Sequence, residues 1–388
     1  MILPEKKVKE SKKDKKSNKQ KDKVTGKENV SSLTDSEDQR KEKGQVVNEM
    51  INQGFPFIPD VMFENIVDNY DQAVETYGET IIRIVSGYSP GYIKKNINIP
   101  EFQRELKKRL DEKKKELKDV QNGNKFKEEY IEVAAKVLIV EELSKFKNLL
   151  NKDFSKENIN RTGQVTGTIP YKVKKKSDIN IRKTLRRAIG RNKRKLDSND
   201  LLVNERKSDE KPNVVYAIDS SSSMKGFKMH AAKKAAVALS YKTINDKGKI
   251  SLLSFSSESS VLTGFLEDFF YFTKKLTEVK PRGETNIANA IKESINQFRD
   301  KKNKILFLIT DFEPTSGKKP VDEAIKAASH LRDSNIKLVL VGINLNGDGK
   351  EVAEKIAEVS EGEFTLLNTK ALNELDVILL EKYSKFIN

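Results

Sequence analysis

From Pro212 onward the chain alternates two patterns, and that alternation limits the fold more than any other feature. Short apolar runs, "VVYAI", "KISLLSF", "SVLTG", "KILFLIT", "IKLVLVGI" and "FTLL", have the length and β-branched content of buried strands. Between them lie stretches with helical periodicity, near 226–244, 265–278, 287–300, 320–334, 349–359 and 370–386. Strand–helix alternation of this kind predicts an α/β domain over 212–388, with a mostly parallel sheet and right-handed crossovers. "SVLTG" is short and only weakly apolar, which suits an antiparallel edge strand.

The sequence upstream belongs to other classes. Residues 1–45 are rich in lysine, serine and acids, a composition that cannot bury enough apolar surface to offset ordering, and a disordered tail is expected. Within it, "SSLTDSEDQRK" places Thr34 and Ser36 beside acids, a pattern that suits a kinase and equally an ordinary acidic patch. Residues 46–155 predict a small helical domain. Met62, Ile66, Tyr70, Val74 and Tyr77 fall at three- and four-residue steps, as on one helix face, and Phe102, Leu106, Leu110 and Leu117 do the same further on. A third helix has a nearly all-round apolar middle, Val133–Ile139, as expected of the buried member of a bundle. "NGN" at 122–124 supplies a stop before it.

Residues 156–211 read as a connector. "RTGQVTGTIPYKV" suits a short hairpin or extended arm, and "INIRKTLRRAIG" one amphipathic helix, with Ile181, Leu185 and Ile189 on one face and Gly190 at its C-cap. That apolar stripe predicts a helix docked on the α/β domain or on a partner. The formal net charge of +16 concentrates in the tail and in this connector, where Asp178 is the only acid of one basic block. The chain has no cysteine, which excludes disulfides, thiol nucleophiles and cysteine-ligated zinc. With no apolar run near the roughly 18 residues of a membrane helix and no signal-peptide pattern at "MILPEKKVKESKKDKK", a cytoplasmic protein is expected.

The chemistry gathers in "VVYAIDSSSSMKG". In open α/β sheets ligands bind beyond the carboxyl ends of strands, and Asp219 ends the first strand here. Ser221 and Ser223 follow at alternate positions, so a looping chain can turn both hydroxyls toward Asp219. Thr285 lies in the glycine-marked loop of "RGETNIANAI", and "KILFLIT" runs into Asp311. Carboxylates and hydroxyls without nitrogen or sulfur suit a hard divalent cation, and Mg²⁺ takes about six oxygens, several from water. A serine nucleophile fits poorly, because the two histidines, His230 and His330, fall on helices away from the strand ends. Neither a P-loop nor a Gly-x-Ser-x-Gly elbow occurs. A non-enzymatic role is expected, with Met224 as a core side chain.

"DSSSSM", "GET" and "TDFEPT" together resemble the three parts of the metal-ion-dependent adhesion site of von Willebrand factor A domains, over roughly the last 175 residues. The resemblance implies a site for Mg²⁺ or Mn²⁺ made by Asp219, Ser221, Ser223, Thr285 and Asp311. It further implies a position on the metal for a carboxylate from a protein partner. Two departures alter the rim and remove no ligand: Ser222 stands where D-x-S-G-S has glycine, and Phe312 where T-D-G has glycine. Upstream, Asp178, Ile181, Arg182, Thr184, Leu185 and Arg186 are similar to the D-x-R-x-T-L-R segment of intracellular prokaryotic CoxE-like A-domain proteins. That similarity implies an adaptor of a MoxR-type AAA+ ATPase in assembly or maturation of protein complexes. Two alternatives stay open: a signalling scaffold pairing with a phosphopeptide-reading forkhead-associated partner, and a nucleic-acid-associated A-domain protein. The second lacks the aromatic-interleaved basic patch that stacks bases.

Overall fold

The computed structural model describes residues 36–150, 164–170, 179–191, 197, 200–207 and 211–367. The α/β part is built on a six-stranded sheet. Its strands are β5 (Asn213–Asp219), β6 (Lys249–Phe255), β7 (Ser259–Leu266), β8 (Lys304–Thr310), β9 (Ile336–Ile343) and β10 (Glu363–Leu367), in the order β10-β9-β8-β5-β6-β7. Every pairing is parallel except that of β7 on β6, so the edge strand is antiparallel as its sequence suggests.

Each central strand is apolar on both faces because helices cover both. Tyr216 and Ile218 of β5, with Phe307 of β8, face α9 (Phe227–Asn245) and α10 (Phe269–Thr277). Val215 and Ala217 face the opposite layer, α11 (Ile287–Gln297), α12 (Pro320–Asp333) and α13 (Gly347–Ser360). A run of buried alanines, Ala231, Ala232, Ala235 and Ala236, lets α9 approach the sheet closely. Register places Ile218 beside Ile309 and Asp219 beside Phe255, so the carboxyl ends of β5, β6 and β8 finish side by side.

The helical part departs from expectation in two ways. Helix α1 spans Glu37–Asn52, so helical structure begins inside the segment expected to be a disordered tail. Acidic Glu37 and Asp38 favour the positive end of the helix, and Val46, Val47 and Met50 are fully buried in the helical core. The single face expected across Met62–Tyr77 is carried by short helices: α2 (Val61–Asp68) and α3 (Tyr70–Tyr77), followed by α4 (Glu79–Ser86). Breaks fall at Asn69 and at Gly78, whose φ of 83° is a glycine conformation. Helices α5 (Pro90–Asn96) and α6 (Pro100–Leu117) follow. The "NGN" stop is a small hairpin of β1 (Gln121–Asn122) and β2 (Lys125–Phe126).

Helix α7 (Glu128–Leu150) explains its apolar middle. Tyr130 and Ala134 belong to the helical core, while Leu138 is buried in the core that α9 and α10 form with the sheet. Helical and α/β parts are therefore packed on each other. Lys274 of α10 is bonded to Glu128 and Glu132 of α7 at 2.5 and 2.8 Å, and Lys234 of α9 to Glu141 and Glu142 at 3.4 and 3.6 Å.

In the connector, β3 (Gln164–Pro170) pairs antiparallel with β4 (Leu202–Lys207), so the strand finds a distant partner and not a local turn. The amphipathic helix is present as α8 (Ile181–Gly190), with Arg191 at its C-cap in place of Gly190. It packs by its small residues: Thr184 and Ala188 are buried, and Thr184 Oγ1 accepts from Leu202 N at 2.9 Å. Ile181, Leu185 and Ile189 are 69, 43 and 72% exposed, which corrects the expectation that this stripe docks on the α/β domain. Asp178, Thr34 and the helix expected at 370–386 lie outside the described residues.

Candidate metal centre

Asp219 ends β5 and is fully buried. Ser220 N keeps the parallel ladder going one step further, donating to Phe255 O at 2.7 Å, and the chain then enters a single 3-10 turn, Ser222–Met224. Met224 anchors that turn in the core with no exposure. Two interactions hold the Asp219 carboxylate: Ser221 N donates to Oδ1 at 2.8 Å, and Thr310 Oγ1 donates to Oδ2 in a short bond. The hydroxyls of Ser221 and Ser223 lie 3.0 Å apart. Asp311, also fully buried, follows Thr310 at the end of neighbouring β8.

The loop carrying Thr285 reaches the same edge through its main chain. Ser222 N donates to Gly283 O at 2.9 Å and Arg282 N to Ser220 O at 2.6 Å. Thr285 is 1% exposed and is fastened to the loop after β8, its N donating to Thr315 Oγ1 at 2.9 Å. Asp219, Ser221, Ser223 and Asp311 thus share one strand-end cluster. Thr285 is brought to its rim, with no direct hydrogen bond to the other four.

Electrostatics mark the cluster as short of positive charge. Burial pushes the Asp219 carboxyl up to about 7; bonds from Thr310 and Ser221 oppose this, and the Asp311 charge adds to it. One cation is already in place. Lys228, in the first turn of α9, donates to Asp311 Oδ2 at 2.9 Å with its side chain 21% exposed. Two buried carboxylates with adjacent hydroxyls, one of them already neutralised by an ammonium, fit a hard, oxygen-seeking cation by donor chemistry.

Three of these features escape a reading of the sequence. Thr310 counts there only as part of a motif, yet it clamps Asp219 across the β5–β8 pairing. Lys228 looks like any helix-surface lysine. Phe312, at the position where the resembled T-D-G pattern has glycine, adopts φ 53°, a conformation uncommon for a bulky residue. Its ring is fully buried against Phe364, with centroids 6.3 Å apart, and that packing offsets the backbone cost.

The loop after β5 is also braced from the helical part. Gly226, at φ 66°, donates its N–H to Asn52 O of α1 at 2.8 Å, and a Cβ there would come within 2.9 Å of the Gln53 amide. His230 faces this contact, 3.2 Å from Glu49 and 3.3 Å from Asn52, well separated in role from the serine cluster. His330 is exposed on α12.

A doubly wound α/β domain with a polar strand-end cluster of this composition defines a class of ligand-binding modules. The segment 214–335 matches the family model described as von Willebrand factor type A domain, and all five cluster residues fall within it. This part of the chain is a von Willebrand factor type A domain. The uncharacterized protein YwmD of Bacillus subtilis is 35% identical over 104 residues, 25% of this chain and 44% of YwmD. The chain thus spans less than half the length of the curated relatives it matches. Among solved structures, the von Willebrand factor type A protein from Catenulispora acidiphila is 16% identical, with 48% of this chain and 44% of that one covered at a TM-score of 0.39. The conserved hypothetical protein BatB from Bacteroides thetaiotaomicron is also 16% identical, with 45% and 98% covered at a TM-score of 0.37. Among the described residues, no helix is long and apolar enough to cross a membrane.

Proposed function

We propose that this chain is a non-catalytic, cytoplasmic protein-binding module. In this reading Asp219, Ser221, Ser223, Thr285 and Asp311 hold Mg²⁺ or Mn²⁺. The observation that carries it is the pairing of two fully buried carboxylates, Asp219 and Asp311, with the Ser221–Ser223 hydroxyls at the end of adjacent parallel strands. A bound divalent ion supplies a position that a partner's carboxylate can occupy. Thr310 and the Ser221 amide fix the Asp219 carboxylate, so the donor set needs little rearrangement. Lys228 neutralises Asp311 in the metal-free protein. His230 is engaged at the contact with α1, which leaves the serines without a histidine neighbour and supports binding over hydrolysis.

The narrower role is adaptor of a MoxR-type AAA+ ATPase. It rests on the similarity of Ile181–Arg186 to the connector of CoxE-like proteins, and on the exposure of Ile181, Leu185 and Ile189, which leaves that stripe available to a partner. Calorimetric titration of the full chain with Mg²⁺ and Mn²⁺ tests the metal. At a hundredfold excess over Kd, binding to the folded state adds about 2.7 kcal/mol of stability. Saturating metal with no heat and no rise in melting temperature refutes the site. An ATPase that co-purifies in Mg²⁺ and is released by chelator supports the adaptor role; its retention in chelator contradicts a metal bridge.

A further inference from the structure

A polar cavity of about 510 Å³ adjoins the candidate metal loop on the β6–β7 side. The hairpin that forms one wall has five serines in seven residues, Ser254 to Ser260. Two hydroxyls of the lining are already used: Ser254 Oγ donates to Ser220 Oγ at 2.9 Å, and Ser220 Oγ to Phe255 O at 2.9 Å. Three others are left with a proton to give. Ser257 Oγ only accepts, from Glu284 N at 3.0 Å, and the hydroxyls of Ser256 and Ser260 have no protein partner among the described residues.

The lining also brings positive charge. Lys280 and Arg282 line the cavity, and their side chains are unpaired among the described residues. Of the two acids present, Glu278 is held by Lys275 at 3.1 and 3.0 Å, leaving Glu258 as the one carboxylate opposing the two cations. Gly283, also in the lining, adopts φ 76°. A Cβ at this position would lie 3.0 Å from Ser257 Oγ and 3.5 Å from Ser256 Oγ, so the missing side chain keeps the hydroxyls accessible.

We propose that this cavity binds a phosphate-type oxyanion, carried on a phosphorylated side chain of the protein partner. A phosphate offers three acceptor oxygens and close to two negative charges, which matches several hydroxyl donors and an Arg–Lys pair better than a planar carboxylate does. Arginine contributes a fork suited to phosphate oxygens. The location connects the cavity to the metal centre: Arg282 N bonds to Ser220 O, and Gly283 O accepts from Ser222 N, so both sites share one pair of loops. A partner whose carboxylate reaches the metal would place a nearby phosphorylated residue here. Only the carrier of the phosphate rests on the partner-binding reading; the oxyanion site stands without the metal.

The test uses the full chain and three peptide libraries, degenerate except for a fixed central phosphoserine, serine or glutamate, together with inorganic phosphate. Each is titrated in Mg²⁺ and again in chelator, and Mg²⁺ binding is measured separately. The phosphoserine library is expected to bind at least tenfold more tightly than the serine library, in chelator as well as in Mg²⁺. The combined Lys280→Gln and Arg282→Gln substitutions should erase that preference while leaving Mg²⁺ heat and melting temperature unchanged. Ser256→Ala with Ser257→Ala should weaken it. Equal binding of phosphoserine and serine libraries overturns the proposal, as does a preference that survives the double substitution. Glutamate matching phosphoserine overturns the phosphate assignment, and inorganic phosphate binding without phosphopeptide binding overturns the protein carrier. A phosphate preference in a protein that gives no Mg²⁺ heat upholds this site and removes the metal alone.

Discussion

Lys228 occupies the charge position that a divalent ion would need, so its replacement by methionine should move metal affinity and metal-free stability in opposite directions. Its ammonium lies 2.9 Å from Asp311 Oδ2, and the carboxylate it serves has no solvent exposure. An ammonium and a dication on one carboxylate repel each other. At ~4 Å in a water-like medium each unit-charge pair is worth about 1 kcal/mol, so the dication feels about 2 kcal/mol, and more where the dielectric is lower. The lysine is one-fifth exposed and can swing outward, which favours the lower figure. Lys228→Met should then bind Mg²⁺ about thirtyfold more tightly. Without metal the same variant leaves Asp311 buried beside Asp219 with its cation removed. Breaking a fully buried pair costs about 3–5 kcal/mol, and partial exposure of the lysine reduces this to about 2. Calorimetry with Mg²⁺ and urea melts in chelator read both quantities. Unchanged or weaker metal affinity in the variant refutes competition, and unchanged metal-free stability refutes the role of Lys228 as counter-ion.

Asp219→Ala should abolish Mg²⁺ heat yet hold the metal-free melting temperature within a few degrees, because relief of a desolvated carboxyl beside Asp311 offsets the loss of its bonds from Thr310 and Ser221 and no core packing is removed; a large drop in chelator would make Asp219 structural. Burial raises Glu49 to about 7, with Lys233, Lys234 and Arg83 opposing and Glu141 adding to the shift. A carboxyl raised on folding stabilises fully below its unfolded value and loses that contribution as pH climbs through about 7. Wild type minus Glu49→Gln stability should therefore fall by about 2–3 kcal/mol between pH 4.5 and 8; a flat or rising difference in paired urea melts contradicts the burial of this group. Leu138→Ala should cost about 2–4 kcal/mol, since it opens a cavity where α7 enters the α/β core; a cost under about 0.5 kcal/mol would mean that α7 does not contribute there.

The sheet was legible because parallel strands covered on both faces must be apolar throughout, and Val214–Ile218, Ile305–Ile309 and Leu338–Ile343 are. The edge strand showed by the weakness of the same signal. Helix continuity across Met62–Tyr77 misled because the breaks at Asn69 and Gly78 preserve which residues face the core, and periodicity reports the face and not the hydrogen bonds. The first two turns of α1 carry charges like those of the tail before them, and its apolar side emerges only at Val46. For α8, spacing revealed the stripe but not which face is used. Thr184 and Ala188 pack because small side chains let the helix approach β4, and the large residues stay outside.

At the candidate metal centre, Asp219, Ser221, Ser223 and Asp311 could be read from strand ends. Thr310 and Lys228 could not, because their roles depend on β8 lying beside β5 while two strands and three helices intervene in sequence. The gathering of carboxylates and hydroxyls was therefore visible in residue classes, and the internal neutralisation of the cluster by Lys228 was not.

An Mn²⁺-soaked crystal of the full chain, examined by anomalous scattering, tests the central claim most directly. A single strong peak about 2.1 Å from the Ser221 and Ser223 hydroxyl oxygens, with Lys228 moved off Asp311, is the predicted result. No peak at these oxygens at saturating Mn²⁺, with Lys228 still on Asp311, would contradict it.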